Sequence, residues 1–167
     1  QIVDLSDPRK PQLVKTDATS FSRASDIYID DKGYAYISGS ENLGILVFTL
    51  ADQKNPVFVG SWSEAYISNT IVSGNFGFAS GSLEKVLYVI DFIDRAHPQT
   101  VAAMPYGDSL DSVSISEDGK TFVTVSKEDG GYIKLWDVSI PKKPYELGRY
   151  QLSGATPNRV FPRGKFL

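Results

Sequence analysis

The sequence contains no cysteine and only one histidine in 167 residues. The lack of cysteine excludes disulfide bonds, thiolate metal sites and cysteine nucleophiles, and it is compatible with a reducing or an oxidising compartment. With His97 as the single imidazole and no thiol in the sequence, a zinc site or a Ser-His-Asp triad built around it is disfavoured. We therefore predict that His97 is a solvent-exposed loop residue.

The sequence also lacks an excess of positive charge and long apolar runs. The formal net charge is −3, which provides no basic surface for nucleic acid. The longest apolar runs, such as VLYVIDF, are far shorter than the roughly 20 residues of a membrane-spanning helix. The sequence thus predicts neither nucleic-acid binding nor a membrane-spanning segment.

The residues that are present indicate a globular, all-β chain. Apolar residues make up 41% of the sequence and charged residues 22%, a balance that can bury a core. Nine Tyr, nine Phe, 14 Gly and nine Pro, together with short runs rich in Val and Ile, favour strands and turns over helices. The chain begins at Gln1 without an initiator Met or a signal sequence, which is typical of a processed or excised piece.

A repeated frame runs through the chain: an apolar run, a polar residue at its end, and a proline seven residues later. It occurs as IVDLSDPRKP, VFTLADQKNP, VIDFIDRAHP and LWDVSIPKKP. The aligned polar residues follow one another at intervals of 45, 42 and 46 residues, and they are Asp4, Thr49, Asp91 and Asp137. The prolines are Pro11, Pro56, Pro98 and Pro144. A nearly constant period of this size is the signature of a repeat fold.

Each repeat predicts four short antiparallel strands, A to D, in about 44 residues. Strands A and B form hairpins such as DIYIDDKGYAYISG and SVSISEDGKTFVTVS. Strand C is almost continuously apolar, as in GILVFTL, which predicts burial on both faces. The aspartate then caps the turn after strand C by accepting backbone hydrogen bonds. The proline begins strand D, which must be an edge strand because proline lacks an N–H donor.

Four-stranded sheets that stack face to face around an axis form a β-propeller, whose blades have this size. We therefore predict an all-β fold, a single β-propeller domain or segment over residues 1–167. Its predicted parts are a partial blade at 1–15, blades at about 16–60, 61–103 and 104–150, and a partial blade at 151–167. Either the two partial blades pair and close a four-bladed ring, or the chain is a segment of a larger ring of about six to eight blades. We favour the segment.

The repeats resemble those of the LVIVD-repeat propellers of bacterial and archaeal cell surfaces. The matching stretches are IVDLSDPRKP, GYAYISG with LGILVFTLADQKNP, and GNFGFASG with VLYVIDFIDRAHP. The stretch SISEDGKTFVTVS with GYIKLWDVS is also similar to WD40 and YVTN blades, although the Gly-His pair of WD40 repeats is missing. The resemblance implies an extracellular, cell-surface or periplasmic propeller, and it implies no defined catalytic residues.

The connections from strand D to the next strand A differ most in length and content, and varied loops on a rigid repeat are where binding residues usually lie. The candidate binding residues on these loops are Trp62, Glu64, Tyr66, Tyr106 and Asp108. An alternative interpretation of Trp62 is that it covers the edge of a blade. We predict a non-catalytic interaction module that binds a protein or glycan partner, with the remaining blades of the same propeller as a further partner. No cofactor is predicted.

A second hypothesis is a propeller lactonase or hydrolase with a divalent metal at the mouth of the central channel. Asp26 and Asn69 are in register at the start of strand A, and Asp111 is one place off. Two groups in register are too few for a metal cage, so no catalytic residue is assigned. A third hypothesis is a structural role in a large assembly.

Overall fold

The computed structural model describes residues 1–16, 23–39, 44–81, 83–106, 110, 112–126, 131–153 and 159–164. These ranges contain β-strands and no α-helix, and therefore no helix that could cross a membrane. The strands are β1 (Ile2–Asp4), β2 (Gln12–Lys15), β3 (Ala24–Ile29), β4 (Tyr34–Gly39), β5 (Gly44–Thr49), β6 (Val57–Trp62), β7 (Ile67–Ser73), β8 (Phe76–Gly81), β9 (Val86–Asp91), β10 (Gln99–Pro105), β11 (Ser112–Ile115), β12 (Thr121–Ser126), β13 (Tyr132–Asp137) and β14 (Tyr145–Gln151).

The strands form three four-stranded sheets and one two-stranded sheet. Strands β3–β6 make blade 1, β7–β10 make blade 2 and β11–β14 make blade 3, while β1 pairs with β2. Each blade is an antiparallel meander in which strands that are adjacent in the chain pair with each other. The prediction of an all-β fold built of four-stranded antiparallel blades is confirmed.

The first strand of each blade lies on the inside of the stack. Strand β7 contacts β3 on one side and β11 on the other. The last strands β6, β10 and β14 form the opposite edges of their sheets. Pro56, Pro98 and Pro144 each stand immediately before one of these strands, where the missing N–H donor removes no hydrogen bond from the sheet.

The repeated polar residues cap the turn after the third strand of each repeat. Asp4, Asp91 and Asp137 each accept a hydrogen bond on Oδ1 from the backbone N–H two residues later, at 2.8, 2.8 and 2.9 Å. Thr49 accepts the equivalent bond from the N–H of Ala51 at 3.3 Å. Hydrogen bonds from the side chain and backbone of the serine two residues later lower the pKa of Asp4 and Asp137. These carboxylates are therefore part of the architecture of the repeat.

The blades pack face to face through apolar side chains. The cluster between blades 1 and 2 consists of Tyr36, Ile45, Val47, Trp62, Ala65, Ile67, Val72, Ala79, Ile90 and Phe92. The cluster between blades 2 and 3 consists of Phe78, Leu87, Val89, Tyr106, Leu110, Phe122, Trp136 and Val138. The rings of Tyr36 and Phe92 meet edge to face at 4.9 Å, and those of Phe78 and Phe122 stack at 5.1 Å. Each junction between blades is thus a small hydrophobic core, which the short sheets need because one blade cannot bury its own faces.

A glycine allows blades 1 and 2 to approach closely. A Cβ atom on Gly60 in β6 would lie 2.5 Å from the carbonyl oxygen of Arg95 and 2.6 Å from that of Ala96. Both are backbone atoms of the turn between β9 and β10, so they cannot rotate out of the way. A side chain at position 60 would therefore force the two blades apart.

Candidate functional site

A cavity of about 270 Å³ lies against the inner strands of the three blades, and we call this region the channel. Four segments of the chain line this cavity. They are residues 26–28, residues 69–71, residues 112–115, and a C-terminal segment that contributes Arg159, Phe161 and Pro162. The first three segments belong to β3, β7 and β11, so the cavity lies where the inner edges of the blades converge. Central cavities of this kind are the default place to look for a ligand site.

Asp26 and Asn69, the pair in the metal hypothesis, both line this cavity. The Oδ2 atom of Asp26 accepts a long hydrogen bond of 3.4 Å from the backbone N–H of Thr70, which links β3 to β7. Asp111, the third residue of that hypothesis, lies outside the described residues. Within the part of the chain that the structure describes, no group of three or more His, Cys, Asp or Glu residues could hold a metal ion.

Arg159 adds a guanidinium group to the same channel. Sequence reasoning missed this residue, because its segment showed only that another inner strand begins there. The buried hydroxyls of Ser112 and Ser114 lie on the same lining. The described part of the channel thus offers a carboxylate, an amide, hydroxyls and a guanidinium, which can hydrogen-bond a small polar molecule.

Trp62 lies at the end of β6 and is only 2% exposed. Its ring packs against that of Tyr88 with the centroids 5.1 Å apart, and its Nε1–H donates to Oγ1 of Thr100 at 2.9 Å. Both partners belong to blade 2, so the indole is part of the junction between blades. This placement corresponds to the alternative interpretation, in which Trp62 covers a blade edge, and it removes the ring from the surface that a partner would touch.

Tyr106 follows β10 and is 4% exposed. Its hydroxyl donates to the carbonyl oxygen of Gly81 at 3.0 Å, and its own carbonyl accepts a hydrogen bond from Lys134 Nζ at 3.1 Å. The ring belongs to the core between blades 2 and 3. The sequence places Tyr106 on a loop, but it does not show whether the ring points to solvent or packs between two blades. In the structure the Tyr106 ring packs between the blades. Asp108 lies outside the described residues.

Glu64 and Tyr66 lie in the connection between β6 and β7, and both reach the surface. Glu64 is exposed and Tyr66 is half-buried. The hydroxyl of Thr100, which accepts the indole N–H of Trp62, donates to Oε2 of Glu64 at 2.7 Å. This chain of two hydrogen bonds fixes the carboxylate in one position at the surface. Among the predicted binding residues that the structure describes, these two are the ones that a partner can reach.

A polar cluster between blades 1 and 2 had no signal in the sequence. Nη2 of Arg95 lies 3.4 Å from Oδ2 of Asp30, and its Nε donates to the hydroxyl oxygen of Tyr36 at 3.0 Å. The Tyr36 hydroxyl donates in turn to the same Oδ2 at 3.0 Å, and burial raises the pKa of Tyr36 to about 12. The guanidinium carbon lies 4.3 Å from the centre of the Tyr34 ring. We call these four residues the latch, because they join the two blades.

His97 is a surface residue of the turn between β9 and β10. Its side chain is 80% exposed, and its Nδ1 lies 2.9 Å from Oδ2 of Asp94. This hydrogen bond and those from the turn backbone lower the pKa of Asp94. The imidazole thus serves a local turn and is not among the residues that line the channel.

No protein-family model matches the chain, and no curated protein matches it. Several solved structures are similar. A functionally unknown protein from Desulfotomaculum acetoxidans has a TM-score of 0.66 at 12% identity, covering 78% of this chain and 43% of that one. A protein assigned as a 6-phosphogluconolactonase from Bacteroides uniformis has a TM-score of 0.65 at 16% identity, covering 80% and 42%. The periplasmic gluconolactonase of Pseudomonas aeruginosa has a TM-score of 0.65 at 15% identity, covering 81% and 43%.

At these identities the similarity shows the fold alone. The similar structures are propeller folds of the lactonase type, so this chain has a β-propeller fold. It spans less than half the length of each of these three structures. The LVIVD resemblance has no matching family model and stays a prediction.

Proposed function

We propose that the chain is a non-catalytic interaction module that binds a protein or glycan partner through its loops. The observation that carries this proposal is the pair of hydrogen bonds that links Trp62 to Thr100 and Thr100 to Glu64. These bonds hold the Glu64 carboxylate at the surface, two residues from the half-buried ring of Tyr66. A carboxylate accepts hydrogen bonds from sugar hydroxyls or cationic side chains, and an aromatic ring supplies a rigid apolar surface beside it. A site that is fixed before binding loses less entropy when the partner arrives.

Four other acidic residues of the repeats support a non-catalytic role. Asp91 and Asp137 cap turns, Asp30 is paired with Arg95, and Asp26 bonds to the backbone of the next blade. Each of these carboxylates already has a structural partner. The proposal includes an extracellular, cell-surface or periplasmic location, which the LVIVD resemblance supports.

The test is an array of immobilised glycans and peptides, probed with the wild-type protein and with Glu64→Gln and Tyr66→Ala. We expect ligands on the array whose binding weakens at least about tenfold in both variants, while circular dichroism shows that both variants remain folded. Glu146→Gln is the matched control, because Glu146 is an exposed glutamate on the edge strand β14. Binding that is unchanged in Glu64→Gln and Tyr66→Ala would refute the assignment of this loop.

The channel supports a second candidate function, that of a lactonase or hydrolase. Asp26, Asn69 and Arg159 line one cavity, and the fold is similar to that of a gluconolactonase. Two measurements test this candidate. The first is the melting temperature of the protein with and without calcium or manganese, and the second is the proton release that accompanies hydrolysis of glucono-δ-lactone. Turnover that is lost in Asp26→Asn would favour the enzyme over the interaction module. A structural role in a large assembly is the third candidate, and an inert array with no turnover would favour it.

A further inference from the structure

The three blades place a polar side chain at the same level of the channel. Asp26, Asn69 and Ser112 each lie opposite the fifth residue of the second strand of their blade, so the three positions are equivalent in register. All three residues line the cavity. Neighbouring inner strands thus offer a carboxylate, an amide and a hydroxyl in turn to the same space.

Two buried hydroxyls in the lining have no partner in the protein. Ser112 and Ser114 are 5% and 6% exposed, and both line the cavity. Within the part of the chain that the structure describes, neither hydroxyl takes part in a hydrogen bond. The buried hydroxyls of Ser38 and Thr70, by contrast, bond to each other at 2.7 Å. Because a buried hydroxyl without a partner costs free energy, Ser112 and Ser114 indicate that a polar molecule belongs in the cavity.

Asp26 and Arg159 contribute opposite charges to the lining without pairing. No ion pair joins them or involves either of them among the described residues. Asp26 makes a single hydrogen bond, in which its Oδ2 accepts from the N–H of Thr70 at 3.4 Å, so Oδ1 is open to a ligand. The carboxylate belongs to the first lining segment and the guanidinium to the last, with two uncharged segments between them in the chain. Their separation suits a ligand that carries both charges.

Hydrogen bonds between β3 and β7 fix the wall that carries the carboxylate. The Oγ–H of Ser25 donates to the carbonyl oxygen of Ile67 at 3.0 Å. One residue further along β3, Asp26 bonds to Thr70, and Thr70 is also tied to Ser38 of β4. This wall is formed before a ligand arrives, so binding orders few additional groups.

We propose that the channel binds a free α-amino acid with a small apolar side chain. The ammonium group of the ligand donates to Asp26, and its carboxylate accepts from Arg159 and from the hydroxyls of Ser112 and Ser114. The cavity of about 270 Å³ lies below the range of about 300–1,000 Å³ for drug-sized ligands, which limits the ligand to a small molecule. This inference is independent of the loop site at Glu64, and it assigns no reaction to the channel.

The lining selects a zwitterion over other small polar molecules. An anion drawn to Arg159 would meet the carboxylate of Asp26 in the same cavity, and a cation drawn to Asp26 would meet the guanidinium. A neutral sugar would bond to the hydroxyls but would leave both charges without a counter-charge. Ile71 and Ile115 line the same cavity and supply apolar surface for an aliphatic side chain.

Isothermal titration calorimetry of the full chain tests the ligand class. The probes are L-alanine, L-valine and L-leucine, with isobutylamine as valine without its carboxylate and 3-methylbutanoate as valine without its ammonium group. We expect at least one of the amino acids to bind at millimolar concentrations or below. Isobutylamine and 3-methylbutanoate should each bind at least about tenfold more weakly than valine, because each loses a hydrogen bond between charged groups.

Substitutions in the lining test the location and the orientation of the ligand. Asp26→Asn and Arg159→Gln should each weaken valine binding at least about tenfold. Asp26→Asn should weaken the binding of 3-methylbutanoate less than that of valine, and Arg159→Gln should do the same for isobutylamine, because each of these probes lacks the group that the substitution affects. The matched controls Asp31→Asn and Arg149→Gln change exposed residues outside the lining and should bind valine like the wild type.

Folding and function are controlled separately. Circular dichroism checks that each variant folds, and Arg159→Gln decides the location if Asp26→Asn does not fold, because Arg159 is exposed. Glu64→Gln, which tests the loop site, should leave valine binding unchanged. The proposal is overturned if none of the three amino acids binds, if the two fragments of valine bind as tightly as valine itself, or if glucose binds more tightly than all three. Valine binding that both lining variants leave unchanged would place the ligand elsewhere.

Discussion

The latch between blades 1 and 2 can be tested by removing one oxygen atom. Tyr36→Phe deletes the hydroxyl that donates to Asp30 and accepts from Arg95, both at 3.0 Å, and it keeps the ring that packs on Phe92. Tyr36 is 0% exposed, so water cannot replace the lost partner. Hydrogen bonds to charged groups contribute about 1.5–3 kcal/mol each, and the remaining Arg95–Asp30 pair at 3.4 Å recovers part of this. We expect the free energy of unfolding to fall by about 2 kcal/mol.

The same substitution should change the pH dependence of stability. Burial raises the pKa of Tyr36 from 10.0 to about 12. Because the pKa is higher in the folded protein than in the unfolded chain, the neutral hydroxyl stabilises the fold fully below pH 10, and this contribution is lost as the pH rises to about 12. The wild-type protein should therefore lose stability between about pH 10 and pH 12, and Tyr36→Phe should not show this loss. Burial also raises the pKa of Tyr28 and Tyr88, but the variant retains both, so the difference between the two proteins isolates Tyr36.

Urea unfolding at a series of pH values measures both effects. Tyr34→Phe is the control, because Tyr34 meets the guanidinium of Arg95 through the face of its ring, which phenylalanine keeps. That variant should change the free energy of unfolding by less than about 0.5 kcal/mol. Blade 2 already has Phe78 at the position of Tyr36, so phenylalanine fits the repeat. Equal losses in the two variants, or an alkaline loss of stability in Tyr36→Phe as large as that of the wild type, would refute the reasoning.

Substitutions at two further positions, each with a comparison variant, test the repeat itself. Asp91→Ala removes the turn cap and should cost about 1 kcal/mol in urea unfolding, while Asp91→Thr, the residue type at Thr49, should retain part of the cap. Loss of ligand binding at a constant melting temperature would instead assign the repeated aspartates to function. Gly60→Ala should cost about 1–3 kcal/mol, because its methyl group would collide with the turn at Arg95 and Ala96. Gly148→Ala, in open space, should change the thermal midpoint of the single chain little, and equal shifts in the two variants would contradict a close approach at Gly60.

The parts of the structure that depend on local chemistry could be predicted from the sequence. The interval from Asp91 to Pro98 indicates a capped turn and an edge strand, because both assignments depend only on which backbone groups those residues can or cannot bond. The constant period also brings Asp26 and Asn69 to neighbouring inner strands, where both line the channel. Sequence position and register were sufficient for these features.

Contacts between blades could not be predicted in the same way. Trp62 donates a hydrogen bond to Thr100, 38 residues further along the chain, so the neighbouring blade decides the orientation of this side chain. The latch joins Arg95 to Asp30 across 65 residues. A repeat pattern places blades next to each other, but it does not show which of their side chains meet.

The position of blade 2 in the stack has a consequence for how the protein opens. It has a blade on each of its two faces, so its backbone amides are released only when at least one of the two junctions has separated. Amides in blades 1 and 3, each with one less covered face, can exchange with solvent through smaller openings. Hydrogen exchange should therefore be slowest in the central strands β8 and β9 and faster toward both ends. Such a gradient would become flatter in any assembly that covers the end faces, because all blades would then be enclosed alike.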